Sequence, residues 1–359
     1  MRRAAFFELR ADYFGRPFED GIIRALLAAG FAVDVFAPEG ELPQTIYPDS
    51  VRRLAVEYRR RWLQRNLRIS RWRAYDLFLG TADIPMAFAG ILSRLARRPV
   101  VTAADEIFVG GYEGPATAYW KPLSRWGMRH AAFTILTDLV RVPLQREYAN
   151  LPDDHELLSY PSCYAFPYAG PSREEARRAL GIGDGEFVFS FSGTFTPNNG
   201  AQWAVRLLDA IPDARLLVQP GGHSDPVLDA MLARDPRVLH LPQRLEWLDS
   251  MSITVAADAA LVFYLSPQPQ FQLMGVSSQK LCTALWLGIP VLATRQESFA
   301  FIEQFRCGEL VGGEGDLLPA AERIRADREA YARNASRAVA EHIRPEEKLS
   351  LLAERFRRS

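Results

Sequence analysis

A chain of 359 residues, 48% of them hydrophobic, exceeds the size at which a single core stops growing, so about two domains are expected. Forty-three basic residues balance forty-three acidic ones, which removes any whole-chain electrostatic case for nucleic acid or an acidic partner. Cys163, Cys282 and Cys307 have neither a CxxC spacing nor paired histidines, so no zinc site or disulfide framework is indicated and a reducing cytosol fits. The apolar run at the start is too short for a signal-peptide core, and no stretch approaches the roughly 20 apolar residues of a membrane span.

The chain opens with an apolar strand, RRAAFFELR, a helix, GIIRALLAAG, and a second strand, FAVDVFAP, which together make a βαβ unit. Next comes the one strong local charge. Nine arginines begin at Arg52 and end at Arg73 with a single acid, Glu57, for a net of +8. Tyr58, Trp62, Leu63, Leu67, Ile69 and Trp72 are interleaved with them, and Trp62, Ile69 and Trp72 have roughly helical spacing. The segment suits an anionic membrane surface, with aromatics at headgroup level; a solvated helix packed by its apolar face and an RNA-binding surface are the alternatives. Strand and helix then alternate through YDLFLGTA, a helix over 84–97, RPVVTAADE, a helix over 119–130 and FTILTD.

From 151 to 172 prolines, glycine and polar residues stand without a helical or strand period, which reads as the interdomain linker. A second alternating set follows: EFVFSFSG, a helix over 199–210, ARLLVQPGG, a helix over 225–233, RVLHLP, a helix over 245–256, AALVFYL, a helix over 277–287 and PVLATR. Short apolar strands separated by helices predict two doubly wound α/β domains with parallel sheets, facing each other across a cleft. The expected divisions are residues 1–165, 166–345 and a C-terminal helix over 346–359 that returns to the first domain. The tail from 316 reads most simply as one or two solvent-facing helices.

Open parallel sheets bind ligands beyond the carboxyl ends of their strands. The loops there are TAADEIFVGGYEG, FSGTFTPNNG, VQPGGHSD and the stretch 265–279. Gly193 and Gly200 bracket a polar loop ahead of a helix, as an anion site or as a turn that needs glycine for sterics. Gly221 and Gly222 carry the same two readings. Ser277 and Ser278 sit where a helix cap belongs, so they either bind a phosphate or cap the helix. Lys280, one of only three lysines in the chain, lies in the first turn of that helix, where a cation opposes the macrodipole; a bound anion would resolve the conflict.

The segment SSQKLCTALWLGIPVLATRQESFAFIEQFRCGELV resembles the donor-binding region of GT-B glycosyltransferases, especially the family-four group of retaining, nucleotide-sugar-dependent enzymes. FSGTFTPNNGAQWAVRLLDAIPDARLLVQPGG and YDLFLGTADIPMAFAGILSRLARRPVVTAADEIF resemble further stretches of the second and first domains of that group. The resemblance implies two Rossmann-like domains, the first binding the acceptor and the second the nucleotide sugar. It implies Lys280 on the donor phosphates, with Gly193, Thr194, Asn199, Gly222, Ser277, Ser278 and Thr283 around the donor. The chain departs from the pattern at several places. The Glu-x7-Glu pair of the group is replaced by Gly275 and Thr283, the basic pair on the diphosphate by Thr194 and Asn199, and a histidine by Asp105, with Glu106 beside it. Arg244 is the candidate substitute for the lost positive charge.

The mechanism so implied is sugar transfer to a hydroxyl of a polysaccharide, lipid-linked or small-molecule acceptor, with retention of configuration expected. If the reaction inverts instead, Asp105 or Glu106 is the base, and a helix cap is their structural alternative. Gly15 and Arg16, in the loop from Asp12 to Asp20, are the expected acceptor contacts, with Glu19 and Asp20 as further candidates; solvated loop charges are the simpler reading of Arg16, Glu19 and Asp20. No metal site and no cofactor are expected beyond the nucleotide diphospho-sugar co-substrate. A cytoplasmic enzyme, peripheral on the inner face of the membrane, fits this set. A nucleotide-sugar epimerase and a non-catalytic GT-B scaffold are the competing readings.

Overall fold

In a computed structural model that describes residues 1–10, 16–39, 47–66, 68–106, 115–226, 230, 234–241 and 247–359, the strand β1 (Arg2–Phe7) alternates its side chains between two cores. Ala4 and Phe6 enter one and Ala5 and Phe7 the other, so the sheet is covered on both faces. The elements that follow are α1 (Pro17–Ala28), β2 (Phe31–Ala37), β3 (Val51–Ala55), the short helices α2 (Arg60–Arg65) and α3 (Ile69–Trp72), β4 (Leu77–Thr81), α4 (Asp83–Ala96), β5 (Val100–Ala104), α5 (Pro115–Arg129), β6 (Thr134–Leu136), α6 (Val142–Ala149) and β7 (Leu157–Ser159). They form one parallel sheet in the order β3-β2-β1-β4-β5-β6-β7.

The second unit contains α7 (Arg173–Ala179), β8 (Phe187–Phe195), α8 (Ala201–Ala210), β9 (Ala214–Ser224), β10 (Val238–His240), α9 (Trp247–Thr254), β11 (Ala259–Val262), α10 (Pro269–Gln272), α11 (Gln279–Trp286), β12 (Val291–Thr294), α12 (Ala300–Phe305), β13 (Gly308–Val311), α13 (Leu317–Ala326) and α14 (Arg328–Ala338). Its six strands run in the order β10-β9-β8-β11-β12-β13, all pairs parallel. Asp258, buried at the start of β11, accepts from Arg177 Nη1 at 3.0 Å and from the amide of Val188 at 2.9 Å, tying α7 to two central strands. Two compact units result, Phe166–Arg344 and Met1–Ala165 with Pro345–Ser359.

Several expectations change. The stretch read as a linker without a strand period contains β7, paired with β6 from Thr134↔Leu157 to Leu136↔Ser159. The arginine-rich segment is not one helix. It starts as the edge strand β3 and breaks into α2 and α3, and Leu63 and Trp72 are buried, with Tyr58 and Trp62 packed against the same core. Its aromatics are therefore core residues, and Ile69, 41% exposed, is the large apolar side chain left outside. Gly221 and Gly222 lie inside β9 and not in a loop after it. The helix expected over 225–233 and the residue Leu67 fall wholly or partly outside the described residues.

The tail is not a solvent-facing helix or two. Its last helix, α15 (Pro345–Arg357), buries Leu352, Ala353 and Phe356 in the core that also holds Phe6 and Phe133, and the rings of Phe356 and Phe133 lie 5.6 Å apart. Arg355 pairs with Glu156 at 2.8 Å beside that contact. No helix among the described residues is long and apolar enough to cross a membrane. Phe356→Ala should cost the first unit about 3 to 5 kcal/mol, the usual loss for a fully buried phenylalanine. A urea unfolding curve checks this, and a midpoint equal to the parent's would place α15 outside the cooperative core.

Candidate functional site

Both sheets reverse strand order in the middle, between β1 and β4 in one and between β8 and β11 in the other. Such a switch point parts the loops at the carboxyl ends and opens a crevice there.

In the second unit the crevice end of β8 is shaped by two glycines. Gly193 has φ +103° at the irregularity between β8 and β9, and Gly200, at φ +74°, has a hydrogen where a Cβ would stand 2.5 Å from Phe263 Cβ. Glycine is required at both for backbone reasons. Thr194 is half-buried in the same bend. Asn199, at the end of the turn before α8, donates through Nδ2 to Thr196 Oγ1 at 3.1 Å. The Asn198 carbonyl accepts from the Leu265 amide at 2.7 Å, joining the loops that follow β8 and β11.

Lys280 lies between these strands. As the second residue of α11 it runs back to the end of β11, where Nζ donates to the Phe263 carbonyl at 3.0 Å. The ammonium stands 4.2 Å from the centre of the Tyr264 ring and 5.5 Å from that of Phe191. Among the described residues no carboxylate pairs with it, and burial alone pushes its pKa down to about 7. An ammonium has three donors, and one of them has a partner among the described residues.

Ser278 is the helix cap: its buried Oγ accepts from the Leu281 amide at 3.3 Å and shares a 2.8 Å hydrogen bond with Tyr264 OH. Ser277 closes the short turn before it, and Thr283 is half-buried in the next turn of α11. The backbone of Gly222 is placed in β9. Arg244 and Gly15 lie outside the described residues.

The first unit gathers carboxylates at its own switch point. Glu8, 2% exposed, directly follows β1 and accepts from Thr81 Oγ1 at 2.5 Å, at the end of β4. Arg16, just before α1, bridges Glu19 at 3.1 Å and Asp105, at the end of β5, at 3.2 Å. Asp105 Oδ1 accepts from the amide of Glu106, whose side chain is half exposed and lies 3.6 Å from Arg10. Burial, and then the nearby charge of Asp105, raises the Glu8 pKa to about 7. Burial also lifts Glu19 well above the carboxylate range and raises Glu106. Burial works against the charge of Arg16, but Glu19 and Asp105 outweigh it and keep the guanidinium protonated.

Near neutrality the Glu8 carboxyl is therefore partly protonated, so it can donate as well as accept a hydrogen bond. Glu19 and Asp20 are not solvated loop charges. Both are buried, and Asp20 pairs with Arg24 at 2.7 Å. Glu8 and Thr81 are members of this cluster that sequence reasoning missed, whereas Glu19 was among its candidates. The position of Glu8, immediately after an apolar strand, was the available signal. No group of three or more His, Cys, Asp or Glu side chains suited to a metal ion occurs among the described residues.

Two parallel sheets of seven and six strands, each reversing at its centre and covered by helices, define the GT-B fold. Particular solved structures share it along the whole chain. HepE from Anabaena, determined with UDP-glucose, superposes with a TM-score of 0.72 at 17% identity over 99% of this chain and 100% of its own. Sucrose-phosphate synthase from Thermosynechococcus elongatus gives 0.70 at 16% over 100% and 99%. The trehalose 6-phosphate synthase of Burkholderia multivorans gives 0.62 at 13% over 99% and 95%. No family model and no curated protein sequence matches the chain.

The raised Glu8 pKa has a measurable sign. The folded carboxyl holds its proton up to about pH 7 and the unfolded one loses it near 4.5, so the folded state binds more protons in that window and stability falls as pH rises through it. Glu8→Gln, always neutral, should melt several degrees above the parent at pH 8 and gain nothing at pH 4, as read by calorimetry. The same gap at both pH values would show that Glu8 does not titrate in this window.

Proposed function

We propose that the protein is a glycosyltransferase that moves a sugar from a nucleotide diphospho-sugar to an acceptor hydroxyl, with retention of configuration. The observation that carries this reading is Lys280, a buried cation without a carboxylate partner among the described residues, at the switch point of the second sheet. A diphosphate would supply the missing charge and accept from the two remaining ammonium donors. The HepE structures, of the same fold, contain UDP or UDP-glucose, which supports a nucleotide-sugar donor.

In this reading Thr194, Asn199, Ser277 and Thr283 line the donor, and Ser278 holds α11 in place. As the anomeric C–O bond to phosphate breaks, Lys280 stabilises the charge that develops on the leaving diphosphate. The acceptor oxygen forms the new C–O bond, and its proton passes to a leaving phosphate oxygen. Asp105 and Glu106 orient the acceptor hydroxyl, with Glu8 behind them as a proton-holding neighbour. No resident cofactor is assigned. The reading extends to a cytoplasmic enzyme attached peripherally to an anionic membrane, acting on a polysaccharide, lipid-linked or small glycoside acceptor.

One observation favours a second reading, a nucleotide-sugar epimerase: Glu8, Glu19, Asp105 and Arg16 form an acid–base cluster of the kind such chemistry uses. Incubating the protein with a single nucleotide sugar and no acceptor separates the two, since only an epimerase returns a new stereoisomer.

The first test is thermal unfolding with UDP, GDP, ADP, CMP and dTDP, each with and without magnesium. A ligand at about 100 times its dissociation constant adds about 2.7 kcal/mol, enough to shift one melting point by several degrees. Silence from all five would sink the donor assignment.

Lys280→Met should then weaken the active diphosphate by about 1.5 to 3 kcal/mol, roughly ten- to a hundredfold, without loss of fold. Binding needs the charged ammonium, so in the parent affinity should fall as pH rises above about 7, about tenfold per unit. Titration calorimetry between pH 6 and 9 checks both; a slope that survives in Lys280→Met would remove Lys280 from the site.

A further inference from the structure

The arginines from β3 onward divide into two groups. Arg52 and Arg53 are engaged: Arg52 Nε donates to Asp34 at 2.8 Å, and Arg53 donates to the Pro38 carbonyl. Arg59, Arg60, Arg61, Arg65, Arg68, Arg71 and Arg73 are all exposed, and none has a carboxylate within ion-pair distance among the described residues. Elsewhere on the surface arginines find acids, as Arg295 does Glu303 at 2.8 Å and Arg323 does Glu309 at 2.7 Å. Seven like charges on and beside two short helices repel one another, and an anion relieves that repulsion.

The arrangement is also built. Arg65, Asn66, Arg68, Ser70 and Arg71 line an open concavity of about 520 Å³ between α2 and α3. Arg71 Nη1 donates to Asn66 Oδ1 at 2.9 Å, and its guanidinium lies 5.4 Å from the ring centre of buried Trp72. Asn66 is fixed in turn, its Nδ2 donating to the Trp62 carbonyl at 2.9 Å and its own carbonyl accepting from Trp72 Nε1 at 2.5 Å. The tryptophans thus act from the core, holding the turn that presents the arginines. A forked guanidinium set in this way suits the paired oxygens of a phosphate group better than a flexible ammonium would.

We propose that the concavity between α2 and α3 is a phosphate-binding site, formed by Arg65, Arg68 and Arg71 with the Ser70 hydroxyl. Its ligand is a phosphomonoester or diphosphate, presented either by lipid headgroups or by a soluble compound. The site belongs to the first unit and Lys280 to the second, and it does not depend on the sugar-transfer reading.

The test compares the full chain with Arg65→Gln/Arg68→Gln/Arg71→Gln and with a control of equal charge, Arg59→Gln/Arg60→Gln/Arg61→Gln. Calorimetry with inorganic pyrophosphate reads a soluble ligand. Flotation with phosphatidylcholine vesicles, with and without phosphatidic acid, reads a headgroup. Each is repeated in Lys280→Met so that the second unit's cation cannot contribute. The first triple should lower binding about tenfold or more and the control far less, with binding weakened by salt. Flotation with phosphatidic acid assigns the ligand to a membrane; pyrophosphate binding without flotation assigns it to a soluble phosphate. Equal losses in both triples, binding to neither probe, or retention by single-stranded RNA alone would each overturn the site. Circular dichroism melting of the variants, whose changed side chains are all exposed, confirms that they fold.

Discussion

A parallel sheet whose strand order reverses at its centre cannot cover its own carboxyl edge at that point, because the connections on either side lead to opposite faces. Both units have this constraint, at β1/β4 and at β8/β11, and each fills the exposed edge with side chains from strand ends. Glu8, Thr81 and Asp105 occupy one edge; Phe263, Tyr264 and the returning Lys280 occupy the other. Because strand ends are fixed by the ladders behind them, these groups are held by the cores of the two units and not by loop conformation alone.

The two edges carry opposite electrostatic problems. In the first unit four carboxyls surround Arg16 and Arg10, and burial first, then the charge of their neighbours, raises the pKa values of Glu8, Glu19 and Glu106. In the second unit a single ammonium has aromatic faces and one carbonyl for company, with the dipole of α11 against it. Ser278 does the ordinary work of a cap there, which leaves Lys280 without a structural reason of its own. Unit one thus holds spare protons and unit two an unmatched positive charge.

How much of this was legible depended on burial. Central strands such as AAFFE and FVFSF are apolar on both faces and announce themselves in the sequence. The strands that escaped reading, β3, β7 and β13, are all at sheet edges, where half-exposure permits VRRLA and LLS. Lys280 was visible because it violates the preference of a helix start. Glu19 and Asp20 were not, because acids in a first turn of a helix are what the dipole favours, and only the fold reveals that both are buried. The inward turn of Trp62 and Trp72 was hidden for a different reason: the helical spacing that linked them is broken by the turn at Asn66.

Thr283, three residues after Lys280 in α11, bears directly on how the lysine behaves. Positions three apart on a helix are neighbours, so a glutamate at 283 would stand beside the ammonium and hold it charged in the empty protein. Threonine offers no charge, and burial is left to pull the lysine toward neutrality. Near pH 7 the empty site is partly charged, and a bound anion favours the charged form. An anion entering such a site gains a charge-assisted contact without first breaking an internal salt bridge. A threonine at 283 thus leaves a site whose charge is set by pH and by its ligand and not by a fixed ion pair.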